Sequence, residues 1–257
     1  MMFTKNWLSQ PKRFDADSLK YLLISIGAVV AWISCAIALT LVQIPGIIAT
    51  IVADTLVLII AIGSWLTSRP SLPAVRFKRI DPYGLSLSLI WAFVFCASGW
   101  VGGQWLAMFT TVSLDTQGPD YSSPLAVIGT TGLNLFMIFI APVAEELLFR
   151  RFVFNRLRSQ FTFLPAALIS STLFALVHGN GPQMAFAMIL GMSMCVLTQR
   201  FKNISAAVVA HSLVNALACF GLPVGLTNVL FHPAFAIAAL AVWTLLLASF
   251  TAYRTQP

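Results

Sequence analysis

The sequence predicts an all-α fold, a polytopic membrane bundle of about eight transmembrane helices. Three observations carry that expectation. Of 257 residues, 59% are hydrophobic and only 9% charged, whereas roughly a quarter of an ordinary soluble domain is charged. The apolar residues fall in runs approaching the ~20 needed to cross a hydrocarbon core of ~30 Å. The basic residues behind the formal charge of +7 cluster between those runs, which reads as membrane topology and not as a nucleic-acid surface.

In order, the runs are Tyr21 to Val42, Ile47 to Leu66, Tyr83 to Met108, Leu125 to Phe149, Leu164 to Val177, Met184 to Leu197, Ile204 to Phe220 and Val229 to Tyr253. The first follows Lys5, Lys12, Arg13 and Lys20 but is full length without a small-residue cleavage site, so a retained helix is expected, not a signal peptide. The shorter runs, about 14 to 17 residues, need shielding by neighbours. Turns are expected at Pro45-Gly46, Arg69-Pro70, Asp81-Pro82, Gly118-Pro119 and Gly181-Pro182. Small residues such as Gly27, Gly99, Gly102 and Gly191 should permit close helix approach.

With a cytoplasmic N-terminus, the basic groups at Arg69 to Arg79, Arg150 to Arg158, Arg200, Lys202 and Arg254 all fall toward the cytoplasm, while the connections with Gln43 and with Asp115 and Asp120 carry no Lys or Arg. An even number of spans returns the C-terminus to the same side. The whole chain, 1–257, is expected to form one membrane domain: N-terminal helices over 1–124, core helices bearing polar motifs over 125–220, and a C-terminal helix over 221–257. Cys35, Cys96, Cys195 and Cys219 lie inside apolar runs without CxxC spacing, which argues for packing over a zinc or disulfide framework.

Polar chemistry concentrates in three of the runs. The fourth ends Ala144-Glu145-Glu146-Leu147-Leu148-Phe149-Arg150, and a charge at the centre of a membrane helix costs about 2.5 to 3.5 kcal/mol on insertion scales. Glu146 and Arg150, four apart, share a face and can pair; Glu145 is rotated by about 100° and has no such local partner. The alternative is surface pairing of both glutamates with the following arginines in the interface. The fifth run closes Phe174-Ala175-Leu176-Val177-His178. With a turn between about Arg158 and Pro165, an antiparallel hairpin brings Glu145 and His178 to one depth. The seventh run places His211 and Asn215 one turn apart on one face, directed to the bundle interior or to a water-filled cavity.

Together these groups supply what hydrolysis needs: a carboxylate to take a proton from water, a histidine to share that water, and donors for an oxyanion. A second reading makes Glu145, His178 and His211 ligands of a zinc ion. No HExxH is present.

The ordered set Glu145-Glu146-x-x-x-Arg150, Phe174-x-x-x-His178 and His211-x-x-x-Asn215 resembles the three signature motifs of the CPBP (CAAX protease and bacteriocin-processing, or Abi) family, which includes the type II CAAX prenyl endopeptidases. The resemblance covers roughly residues 140 to 216. It implies an intramembrane endopeptidase with Glu145 as general base, His178 as second water-activating group, His211 and Asn215 as oxyanion stabilisers, and Glu146, Arg150 and Phe174 in support. Members have been described both as metalloproteases and as glutamate-type peptidases. Asn215, an uncommon zinc ligand and a natural oxyanion donor, tilts the expectation toward a metal-free site, with zinc as the alternative cofactor. The expected partners are membrane lipids and a protein or peptide substrate, with no nucleic acid. The expected location is the bacterial inner membrane, multi-pass, with both termini cytoplasmic. His232 matches no motif and reads as interfacial. A non-catalytic scaffold or peptide immunity protein is the alternative from another class; a transporter relaying protons would show related halves, and none is visible.

Overall fold

The computed structural model describes residues 16–42, 46–67, 82–92, 94, 124–178 and 181–220. These form α1 (Ala16–Leu41), α2 (Gly46–Thr67), α3 (residues 82–92), a long α4 (residues 124–160), α5 (Phe163–Leu176), α6 (Gly181–Phe201) and α7 (Ser205–Phe220). No strand occurs among the described residues. The run Val229 to Tyr253, with His232, and the connection holding Asp115 and Asp120 lie outside them, as do Cys96, Gly99 and Gly102.

Helix α4 continues well past the Phe149 expected from hydropathy. Its basic extension, Arg150 to Arg158, consists largely of good helix formers, and it stops where Phe161 turns extended and its carbonyl accepts Arg158 Nη1. Two stretches of α4 are π-helical, Phe136–Ile140 and Leu147–Phe154, and they bracket the ordinary α-helical turn Ala141–Glu146. The ring of Pro142 lies in that turn and supplies no N–H.

A central α4 organises the bundle. Helix α2 packs on Ala141–Glu146 and Leu147–Phe154, and α1 on Leu147–Phe154 and Asn155–Gln160; α7 packs on Phe136–Ile140 and Ala141–Glu146, and α5 on Leu147–Phe154. Helices α5 and α6 run side by side at close range: a Cβ on Gly191 would come within 2.9 Å of Ser171 Cβ. The close approach expected at Gly191 is therefore present. Gly27 does not serve it, since a Cβ there would meet nothing within 4 Å. The α6–α7 connection is tight. Lys202 takes the left-handed conformation (φ 47) that ends α6, and Asn203 Oδ1 accepts the N–H of Ser205 to cap α7.

The core holds Trp32, Phe149, Phe154, Phe163, Phe174 and Met194. The outward positions are also apolar, among them Leu23, Val30, Ile37, Ile59, Phe139, Leu168 and Ile189. A bundle apolar within and without has hydrocarbon for its solvent. Among the described residues, Gly129–Arg158 and Gln183–Phe201 are long and apolar enough to cross a membrane, and shorter apolar helices, Phe163–Leu176 and Ser205–Phe220 among them, pack beside them. The fold is a helical membrane bundle.

Candidate active site

The polar centre lies where α4, α5 and α7 meet. Glu146, fully buried, has Oε2 3.0 Å from Arg150 Nε, the i,i+4 ion pair expected from the sequence. Its other oxygen, Oε1, lies 2.9 Å from His211 Nδ1 across the bundle. His211 turns its opposite edge to the neighbouring carboxylate, with Nε2 3.6 Å from Glu145 Oε2. That separation is too long for a hydrogen bond but short for opposite charges. Arg150, Glu146, His211 and Glu145 thus form one chain of alternating charge capacity, their exposures 0%, 0%, 2% and 6%. Surface pairing of the two glutamates is overturned by this burial. Truncating one member of such a cluster leaves a buried charge uncompensated, a loss of about 3 to 5 kcal/mol.

The aromatic ring of Phe174 lies against the cluster. The Arg150 guanidinium sits over its face, 4.4 Å from the centroid, and all three guanidinium nitrogens are buried without a hydrogen-bond partner. A ring face accepts a cation where no oxygen does. Phe174 also meets both imidazoles edge to face, His178 at 4.7 Å and His211 at 5.8 Å between centroids. His178, at the end of α5, has Nδ1 2.8 Å from the Phe174 carbonyl. A carbonyl only accepts, so Nδ1 carries the proton and Nε2 of a neutral His178 holds its lone pair outward. The hairpin behind this placement turns at Phe161 and Thr162. Glu145 precedes Phe161 by as many residues as His178 follows Thr162.

Asn215 enters through the backbone of α4. In the first π-helical stretch the N–H of Ala141 bonds the carbonyl of Phe136, so by the same register Met137 would look to residue 142, which is proline. Asn215 Nδ2 fills the place, donating to Met137 O at 2.7 Å. One of its two amide N–H groups is thereby used, leaving one for other work. Ser170 acts similarly on the second stretch, its hydroxyl donating to Phe149 O at 2.9 Å. Pro142 is the sequence signal for the first partnership; the second has none.

The arrangement joins Glu145, Glu146, Arg150 and His211 directly, brings His178 and Phe174 alongside, and ties Asn215 to the same helix. For the zinc alternative the donor set is the test. Among the described residues, no three His, Cys, Asp or Glu side chains gather as a metal site requires.

Residues 128–217 match the model of the family described as type II CAAX prenyl endopeptidase Rce1-like. Glu145, Glu146, Arg150, Phe174, His178, His211 and Asn215 all fall within the match. The segment bearing all three motifs is similar to that family. A curated relative, "Putative membrane peptidase YdiL" of Bacillus subtilis (strain 168), is 26% identical over 156 residues, an alignment covering 56% of this chain and 61% of that protein. The chain thus spans about three fifths of that relative's length. No solved structure matches the chain. The matched segment coincides with α4 to α7; α1 and α2 lie outside it and pack on its central helix.

Proposed function

We propose that the protein is an intramembrane endopeptidase in which Glu145 activates water for attack on a peptide bond within or at the surface of the membrane. The observation that carries this reading is His211 held between two buried carboxylates, bonded by Glu146 and facing Glu145. Glu146, oriented by Arg150, fixes which imidazole edge is spent on support and leaves the Nε2 edge for the reaction.

In the proposed step Glu145 takes a proton from water, and the water oxygen attacks the scissile carbonyl carbon. His178, with its Nε2 lone pair available, accepts a hydrogen bond from the water's second O–H and orients it. The oxyanion is stabilised by His211 when Nε2 is protonated and by the remaining N–H of Asn215. Glu145 then passes its proton to the departing amine as the C–N bond breaks, which yields a carboxyl and an amine product. The substrate is a protein or peptide reached from the membrane, and the relative's description as a membrane peptidase supports that class. We place the protein in a bacterial cell membrane as a multi-pass chain with cytoplasmic termini, on the clustering of its Lys and Arg.

The test is comparative peptidomics of membranes carrying wild type or Glu145→Gln. The variant should fold and lose cleavage products that wild type generates. Product levels unchanged in Glu145→Gln would remove Glu145 from the chemistry and return the scaffold reading.

A further inference from the structure

The signature motifs leave unexplained why both imidazoles lie against one phenyl ring. That ring is the end of a longer ladder. Phe174 meets Phe149 edge to face at 5.2 Å between centroids (73°), and Phe149 meets Trp32 at 6.1 Å (46°). Every centroid separation along the way lies in the range where aromatic pairs attract with a preferred orientation. Trp32, Phe149 and Phe174 are 8%, 0% and 0% exposed, so none has a free side into which to rotate. Trp32 belongs to α1, outside residues 128–217.

We propose that Trp32 is a positioning residue for the two histidines. Its indole sets the plane of Phe149, Phe149 sets that of Phe174, and Phe174 fixes the tilt of His178 and His211 together. The physical reason is packing. Close-packed rings have discrete arrangements, so a ring removed at one end lets each next ring turn. Arg150 reinforces the last rung, because its guanidinium, 4.4 Å from the Phe174 centroid, gains most with the ring face square to it. On this account α1 does more than shield the core from lipid: it supplies a residue on which the geometry of the site depends. That these imidazoles perform catalysis rests on the function proposed above; their dependence on Trp32 does not.

The test reads the imidazoles themselves. The chain has three histidines, so nitrogen-15 NMR of histidine-labelled protein in nanodiscs resolves each ring, with His178→Gln and His211→Gln giving the assignments. Trp32→Leu should displace the ring signals of both His178 and His211 beyond their linewidths. Phe149→Leu should reproduce the pattern from the middle rung. Trp32→Phe, which keeps an aromatic face, should give a smaller change of the same kind. Val29→Ala is the control for general loosening, since Val29 is buried on the same helix. Should Trp32→Leu and Phe149→Leu fail to fold, Trp32→Phe decides against Val29→Ala. Signals of His178 and His211 unmoved in a folded Trp32 variant, or moved as far by Val29→Ala, would overturn the proposal. Because no catalytic readout is involved, loss of the peptidase reading and loss of this one are separate results.

Discussion

Arg150 is the residue on which the electrostatics of the site turn, because it is the cation paired with Glu146 beside a second buried glutamate. Arg150→Ala should therefore destabilise the protein by about 3 to 5 kcal/mol. Arg150→Lys should recover part of this by keeping the charge while losing the planar fit over Phe174. Unfolding in micelles followed by circular dichroism measures both, and a loss for Arg150→Ala no larger than the ~1 kcal/mol of a surface pair would contradict the buried arrangement. Asn215→Ala strands the Met137 carbonyl and should cost about 1 to 3 kcal/mol by the same measurement; stability at the wild-type level would show that the bond to Met137 contributes nothing. At this scale the sequence was partly legible. The four-residue spacing of Glu146 and Arg150 announced their pairing, since a helix decides it alone. The bond from Glu146 to His211 could not be read, because it depends on which helices become neighbours and at what depth. Equal spacing about a turn pointed Glu145 toward His178, while the packing of α7 on the Glu145 turn also brings His211 to it.

Helix α5 is apolar or small through most of its length, and in a membrane both its lipid face and its core face can be so. Hydropathy therefore announced the helix and was silent about its orientation. The face that packs is set by Ser170 on the Phe149 carbonyl and by Ser171 against Gly191. This gives a contrast between two helical glycines. Gly191→Ala forces a Cβ to within 2.9 Å of Ser171 and should destabilise by about 1 to 3 kcal/mol. Gly27→Ala meets open space and should stabilise by about 0.5 to 1 kcal/mol through helix propensity. Thermal unfolding of the two variants side by side checks the pair; equal effects would mean that α5 and α6 are not in the close contact described. The π-helical stretches were illegible for another reason. They follow from where carbonyls find partners across the bundle, which no local pattern encodes.

For the molecule as a whole, the abundance of apolar residues and the scarcity of charge sufficed to predict an all-helical membrane fold, because no other element satisfies its backbone in hydrocarbon without closing a barrel. Sidedness rests on the basic clusters, and labelling a cysteine placed at Asp115, a position outside the described residues, tests it. Modification from the outer face alone is the expected result, and modification from the cytoplasm would reverse the topology. The proposed chemistry carries its own prediction at this scale. Purified protein should hold less than stoichiometric zinc and keep cleaving after exhaustive chelation; activity that vanishes with the chelator and returns only with zinc would require the side chains of Glu145, His178 and His211 to gather around an ion.

The π-helical stretch Phe136–Ile140 has a consequence for how chain length can vary. A turn closed from residue i to i+5 takes in about one residue more than an α-helical turn, so the segment stores a surplus position. Deleting one residue there can be absorbed by reverting to the ordinary helical repeat, with Glu145 and Glu146 keeping their direction. A deletion in the regular turn Ala141–Glu146 would instead swing one flank by about 100° against the other. Insertions and deletions between homologous chains are therefore expected to collect at Phe136–Ile140 and to avoid the turn after it. Where a residue between Met137 and Pro142 is missing, the ordinary helical repeat still sets the Met137 carbonyl against the proline, which has no N–H, so the asparagine that donates to it is expected to stay.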